Sequence, residues 1–178
     1  MERCFTTGKG KIPLLHKVTV AGLAMDPASN TPIVILKSEE GDHTIPIWIG
    51  LLEATSIASA MQNIQFDRPM THDLFINMTE KMNIAVHRID ICDLKDNTFF
   101  AEIHFVEKDN TFTMDARPSD AIAIAIRCDA PIFVADEVIK KSGMVKENGE
   151  ILDTSEEGKK WADYLEQLSP DEFGKYKI

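Results

Sequence analysis

Alternating apolar and polar residues predict six strands in two groups of three. β-Branched and aromatic residues suit a pleated surface, and Asp, Asn, Gly or Pro interrupts the pattern between the runs. The first group spans residues 16–25, 33–37 and 43–49, and the second spans residues 84–94, 98–106 and 111–115. Because short turns join the runs within each group, we predict two antiparallel meanders. Pro46 cannot donate a ladder hydrogen bond, so its strand is expected at a sheet edge or a bulge.

Apolar residues at helical spacing predict helices that interleave with these strands. The predicted segments cover residues 51–64, 74–82 with Thr71 as N-cap, a segment beginning near Pro118, a turn over 136–141, and an amphipathic helix over 155–168. The helix beginning near Pro118 is apolar nearly all round, and such a helix must be buried. A short buried strand is predicted at residues 132–135.

These elements predict an α+β fold with an antiparallel or mixed sheet built from two meanders and interleaved helices. We predict one domain over residues 12–141. Residues 142–178 change composition, with Gly143, Asn148 and Gly149 in a polar connector, and are predicted to form this connector and a C-terminal helical appendage. His87 and His104 fall on the polar side of their strands and are expected to be solvated.

The formal net charge of -10 limits what the surface can bind. An acidic protein does not attract nucleic acid nonspecifically, so a polyanionic substrate would need a local basic patch or divalent cations. Cys4, Cys92 and Cys128 lack metal-type spacing and are odd in number, which predicts reduced thiols in place of a zinc site or a disulfide framework. The first residues lack a signal-type apolar region, and no run approaches a bilayer span of roughly 20 residues. We predict a cytoplasmic protein without a membrane partner.

Two helix N-termini, called helix heads below, carry the same residue types and form the candidate site. Residues 68–73 and 117–120 each place Arg-Pro, a hydroxyl residue and an aspartate before or within a first helical turn. Since a helix N-terminus attracts anions, both heads suit a phosphate, and we hypothesise that they converge on one pocket. The alternative is a structural one, in which Arg117 and its neighbouring aspartates form a buried ion-pair and capping network.

Three acidic or basic residues leave alternatives open. Histidine and aspartate at positions 72 and 73 suit metal ligation or acid–base catalysis, although adjacent helical residues point about 100° apart. Glu53 lies in a first helical turn, where a carboxylate complements the helix dipole. The other interpretation of Glu53 is a carboxylate of a metal or phosphate site, held on a rigid element.

Several separated motifs carry a resemblance to a known family. They are residues 45–50 (IPIWIG), 53–54 (EA), 68–74 (RPMTHDL), 99–102 (FFAE), 115–122 (DARPSDAI) and 130–132 (API). In order and spacing they resemble the bifunctional nuclease domain, a bacterial and plant family also catalogued as a domain of unknown function. The resemblance covers about residues 16–141 and implies an α+β fold and cleavage of both DNA and RNA.

The resemblance implies a hydrolase acting on phosphodiester bonds, and the chemistry of the motif residues suggests their roles. Asp73, Asp115, Asp120 and Glu53 would hold a divalent cation, Mg²⁺ or Mn²⁺, that activates water. Arg68 and Arg117, with Thr71 and Ser119, would bind phosphate, and a guanidinium suits its oxygens. His72, Asp73, Asp115 and Asp120 are the predicted catalytic residues, with His72 as general acid or base.

The alternative is a noncatalytic module that binds a protein or a small anionic ligand, with structural Arg-Pro motifs. Nucleic acid is the predicted substrate. A homodimer is expected from the apolar face of the C-terminal helix and from the candidate edge strands.

Overall fold

The computed structural model describes residues 13–27, 29–39, 43–142 and 145–146, the last two by their backbone alone. Eight strands and four helices occur in this part of the chain. In chain order they are β1 (Leu15–Met25), β2 (Pro32–Ser38), β3 (His43–Trp48), α1 (Leu51–Met61), α2 (Thr71–Lys81), β4 (Ala85–Lys95), β5 (Thr98–Glu107), β6 (Asn110–Ala116), α3 (Pro118–Cys128), β7 (Ile132–Ala135), α4 (Asp136–Lys141) and β8 (Val145–Lys146). The predicted α+β class is confirmed.

Both predicted meanders form, and β7 joins them into one mixed sheet. The strand order is β6-β5-β4-β7-β1-β2-β3-β8. β7 pairs antiparallel with β1 and parallel with β4, so it is the central strand between the two meanders. Ile132 and Val134 of β7 are buried, as an inner strand covered on its faces requires.

Asparagine and aspartate in left-handed backbone conformation end the helices and turn the chain. The φ angle is 53° at Asn63, 57° at Asn83 and 54° at Asp129, each just beyond the end of a helix. Asp96 and Asn97 have φ angles of 47° and 58° and form the two-residue turn between β4 and β5. These residue types tolerate left-handed backbone better than most others, and a hairpin turn of this kind needs it at both central positions.

The helix that begins at Pro118 is the centre of the fold, as predicted. α3 contacts α1, α2, β4 and β5, and its residues from Pro118 to Ala125 are buried except Asp120. Pro118 occupies the first turn, where its missing N–H costs nothing. The burial of nearly every side of the helix explains why its sequence is apolar almost all round.

The polar side of the second meander differs from its predicted exposure. His87 is exposed as expected, but His104 is largely buried, with Nε2 2.7 Å from Oδ2 of Asp90. Asp90 is fully buried, and its carboxylate accepts hydrogen bonds from Arg88. The prediction for His104 is wrong because alternation along one strand does not reveal that a buried carboxylate lies on its neighbour.

Three smaller predictions also change. α1 ends at Met61, before the predicted Ile64, and α2 has Met70 as its N-cap with Thr71 as its first helical residue. Cys92 is disulfide-bonded whereas Cys128 is a free thiol, so the prediction of reduced thiols is wrong at Cys92. Spacing along a chain does not show which cysteines come within bonding distance.

The edge prediction for the proline-containing strand holds at Pro46 but not for the whole strand, because β8 is the edge strand next to β3 in the described sheet. In the described part of the chain β8 pairs with His43 and Thr44 alone, so Pro46 lies on the open stretch of β3. The predicted helix over residues 155–168 and nearly all of the predicted connector lie outside the described residues. Within the described ranges no helix is both long enough and apolar enough to cross a bilayer.

Candidate functional site at three helix N-termini

The first turns of α1, α2 and α3 meet through charged and polar side chains. β6 ends at Ala116, and the next residue, Arg117, is the N-cap of α3 in extended conformation. Gly50 is the N-cap of α1, and its helix carries Glu53 in the first turn. Because each of these side chains comes from the rigid end of a helix, their relative positions are determined by helix packing.

Arg117 joins two of the three helix heads. Its Nε donates to Asp120 Oδ2 at 2.7 Å and its Nη2 to Asp120 Oδ1 at 3.0 Å, while Nη1 donates to Glu53 Oε1 at 2.8 Å. A bidentate pair, in which a guanidinium donates two hydrogen bonds to one carboxylate, is among the stronger polar interactions in proteins. These two carboxylates raise the pKa of Arg117 above its usual value. The Arg117 side chain is nevertheless 64% exposed.

His72 links the head of α2 to both other helices. Its Nε2 lies 3.3 Å from Asp120 Oδ1, and its Nδ1 lies 2.9 Å from the hydroxyl of Ser56 in α1. Burial raises the pKa of Asp120, but the hydrogen bonds from Arg117 and His72 outweigh burial and hold that pKa below its usual value. Asp120 is therefore an ionised acceptor at neutral pH.

Asp73 takes part in a second, separate contact. Its Oδ1 accepts from Arg127 Nε at 2.6 Å, and its Oδ2 accepts from the backbone N–H of Met70 at 2.8 Å. Burial raises the pKa of Asp73, and the bonds from Arg127 and Met70 outweigh it and lower the pKa. His72 and Asp73 thus point to opposite ends of α3, as their angular separation on a helix predicts.

Arg127 holds three helices together from a largely buried position. Its side chain is 10% exposed, and besides Asp73 it donates to the carbonyl oxygens of Ala123 at 2.9 Å and Ser56 at 3.2 Å. Arg127 therefore braces α1, α2 and α3, a role that sequence reasoning had considered for Arg117.

Four predicted site residues lie outside these contacts. Arg68 and Thr71 are exposed before and at the start of α2, Asp115 is exposed on β6, and Ser119 is buried in α3. None of these four side chains forms a hydrogen bond or ion pair with the described part of the chain. The two helix heads come together through His72 and Asp120, and Arg68 does not join them.

The predicted metal ligands are not gathered into one site. Glu53 and Asp120 share the guanidinium of Arg117, and Asp73 is bound by Arg127. Among the described residues no group of three or more His, Cys, Asp or Glu side chains is arranged to hold a metal ion. As arranged, the four carboxylates do not fit a divalent cation, and metal dependence stays a prediction.

Sequence reasoning missed Ser56 and Arg127 as members of the cluster. Helical spacing could have indicated that each residue lies on the same helix face as a predicted site residue. Ser56 lies three residues after Glu53 in α1, and Arg127 lies seven residues after Asp120, two turns along the same face of α3. The helix that each residue meets is a matter of tertiary packing.

The Gly50→Ala variant is expected to release Glu53 from Arg117. The backbone of Gly50 is extended and accepts alanine, but an added Cβ would overlap Glu53 Oε2. Because that carboxylate ends a flexible side chain, it should move and lose its bond with Arg117 Nη1. We expect a loss of about 0.5–1 kcal/mol in the free energy of unfolding, measured by urea denaturation.

The matched background for this test is Glu53→Ala. Gly50→Ala should change stability very little there, because the overlapping atoms are gone and coupled residues are not additive. An equal loss in both backgrounds would show that the Glu53 contact is not the cause.

A protein-family comparison identifies the family of this chain. The model of the bifunctional nuclease domain matches residues 34–147, which include all three helix heads. The chain belongs to the bifunctional nuclease family. Its predicted family resemblance is thereby confirmed.

Relatives occur in bacteria and plants. An uncharacterized protein of Mycobacterium tuberculosis is 35% identical over 164 residues, which cover 89% of this chain and 98% of that protein. Bifunctional nuclease 1 of Arabidopsis thaliana is 32% identical over 125 residues, covering 67% of this chain and 38% of the plant protein. Bifunctional nuclease 1 of Oryza sativa is 30% identical over 115 residues, covering 62% and 35% respectively. The plant proteins therefore extend well beyond the shared domain.

Proposed function

We propose that this protein hydrolyses phosphodiester bonds of DNA and RNA at the cluster of Arg117, Asp120 and His72. Membership of the bifunctional nuclease family supports the reaction class, and the names of the plant relatives carry the same activity. The observation that carries the proposal is the exposed guanidinium of Arg117, which lies beside a histidine held by an ionised carboxylate.

The exposure of Arg117 weighs against a purely structural role. Ion pairs between solvent-exposed side chains contribute about 0–1 kcal/mol, because water screens them and ordering the side chains costs entropy. A side chain that is 64% exposed therefore adds little to folding. Its donors can exchange a carboxylate for the oxygens of a phosphate, whose geometry a guanidinium also matches.

His72 is the proposed acid–base group. It lies within hydrogen-bonding reach of a hydroxyl and a carboxylate, and the carboxylate orients the ring. Arg68, which is exposed and unpaired within the described ranges, is the second proposed phosphate contact. With a net charge of -10 on the chain, these local cations would have to attract the substrate.

The test is cleavage of single- and double-stranded DNA and RNA by protein purified free of host nucleases. Loss of a general acid or base slows a reaction by about 10²–10⁴-fold, so His72→Ala should lose that much of its rate. His87→Ala, which changes an exposed histidine of β4, should cleave at the parent rate.

Parallel reactions with Mg²⁺, Mn²⁺ or EDTA test the predicted metal dependence. Equal cleavage by the parent and a well-folded His72→Ala variant would assign the activity to a contaminant or to another site.

A noncatalytic binding module is the second candidate. It is favoured by the hydrogen bonds that Arg117 Nε, Nη1 and Nη2 each donate to carboxylates of the same chain. In such a module the network would position the helices, and a protein or small anion would bind elsewhere. The absence of cleavage under every metal condition would favour this candidate. A homodimer and a cytoplasmic location stay predictions.

A further inference from the structure

The hydroxyl groups of Thr55, Ser56 and Ser59 in α1 differ in their hydrogen-bond partners. Thr55 Oγ1 donates to the carbonyl of Leu51 at 2.8 Å, and Ser59 Oγ donates to that of Thr55 at 2.7 Å. Both follow the usual pattern of a helical hydroxyl that bonds the carbonyl four residues earlier. Ser56 departs from it, because its Oγ lies 2.9 Å from Nδ1 of His72 on another helix.

The direction of the hydrogen bonds follows from the contact of Arg117 with Asp120, in which Nε and Nη2 donate to the two carboxylate oxygens. Asp120 can only accept, so the ring nitrogen beside it, Nε2 at 3.3 Å, carries the hydrogen. In the neutral ring Nδ1 then has a free lone pair and accepts from the hydroxyl of Ser56. The resulting chain runs from Ser56 through His72 to Asp120.

This order of groups activates a hydroxyl as a nucleophile. The imidazole removes the hydroxyl proton, and the carboxylate orients the ring and stabilises its charged form. The three residues come from α1, α2 and α3, so helix packing holds them in place. Arg117 bonds the same Asp120 and presents its exposed guanidinium beside the cluster, where a phosphate oxygen can bind.

We propose that Ser56 is the nucleophile of the phosphodiester hydrolysis, with His72 as its general base and Asp120 as the residue that orients His72. The inference rests on the proposed nuclease function and supplies its covalent step. Sequence reasoning did not assign Ser56 any role.

The reaction balances in two displacements. In the first, Ser56 Oγ bonds to phosphorus, its proton passes to His72 Nδ1, and the phosphorus–oxygen bond to the leaving alcohol breaks as that oxygen takes the proton. In the second, water attacks the phosphorus of the seryl phosphodiester and gives a proton to His72. The bond to Oγ then breaks and Oγ recovers its proton. The products are a phosphate monoester and an alcohol.

The test uses an alkyl fluorophosphonate, which reports an activated serine without any nucleic acid. Ser56 Oγ should displace fluoride and form a stable phosphonate ester, located by mass spectrometry of peptides. We expect an adduct on Ser56 in the parent, forming at least about 10²-fold more slowly in His72→Ala because the base is gone. Thr55→Ala and Ser59→Ala are the matched controls and should label at the parent rate.

Cleavage assays with Ser56→Ala and Ser56→Thr complete the test, with circular dichroism to verify folding. Loss of cleavage in Ser56→Ala together with an adduct on parental Ser56 supports the inference. Nuclease activity that persists in Ser56→Ala, or labelling of Ser56 that does not depend on His72, overturns it and leaves the proposed function standing. An adduct on Ser56 without cleavage of any nucleic acid overturns the nuclease function, and with it the role of Ser56 in that reaction.

Discussion

Arg117→Ala is expected to slow nucleic-acid cleavage by about 10²–10³-fold, the usual effect of removing one preorganised donor that stabilises transition-state charge. The same change should leave the free energy of unfolding within about 1 kcal/mol of the parent, because the Arg117 ion pairs are exposed to water. Cleavage rates and urea denaturation of one preparation measure both quantities. Arg117→Lys retains the charge but loses the two-bond geometry, so an intermediate rate is expected.

Arg127→Met is the matched comparison. Arg117 is the N-cap of α3, and Arg127 is a residue of the same helix whose side chain is largely buried. Its loss should reduce stability more than the loss of Arg117, since it removes a largely buried donor to Asp73 Oδ1 and to the carbonyl oxygens of Ala123 and Ser56. If Arg117→Ala instead loses about 3–5 kcal/mol, the cost of breaking a buried pair, then Arg117 is a structural brace and the site assignment fails.

Arg88→Met is expected to destabilise the protein by about 3–5 kcal/mol, the largest change in stability predicted for a single substitution. Asp90 is fully buried in β4, and Arg88 contacts its carboxylate through Nε at 3.0 Å and Nη2 at 3.0 Å. Methionine keeps much of the apolar volume of the side chain but removes the cation, so the buried carboxylate loses its principal partner. Urea denaturation measures the loss.

The control for this prediction is Lys17→Met, which removes an exposed ion pair with Glu39 and should cost less than about 1 kcal/mol. Adding Asp90→Leu to Arg88→Met should restore part of the lost stability, because replacing both partners removes the unpaired charge. If Arg88→Met is as stable as Lys17→Met, His104 Nε2, 2.7 Å from Asp90, alone compensates the carboxylate.

Local structure could be read from the sequence because its causes are local. The apolar helix after Pro118, the Asp96-Asn97 hairpin turn and the strand at residues 132–135 each depend on residues within a few positions. Backbone preference and the burial of a periodic apolar face determine such elements. The residue types of the candidate site could also be recognised, since Arg-Pro and aspartate at helix heads suit an anion.

The hydrogen-bond partners of those residues could not be predicted from the sequence. His72 and Asp73 are adjacent, yet one contacts the first turn of α3 and the other its last turn. The polar side of its strand predicted a solvated His104, but this residue lies beside the buried Asp90 of the neighbouring strand. Such pairs join residues far apart in sequence, and no periodic pattern within one element encodes them.

The sequence by itself determined the α+β class, the two meanders, the buried helix and the family to which the chain belongs, because these follow from short-range patterns and motif spacing. Tertiary structure alone decided that β7 joins the meanders, that Arg127 is the buried brace and Arg117 the exposed cation, and that Ser56 meets His72. The physical reason is that exposure and hydrogen-bond partnership depend on how α1, α2 and α3 pack together, and this packing is a property of the whole core.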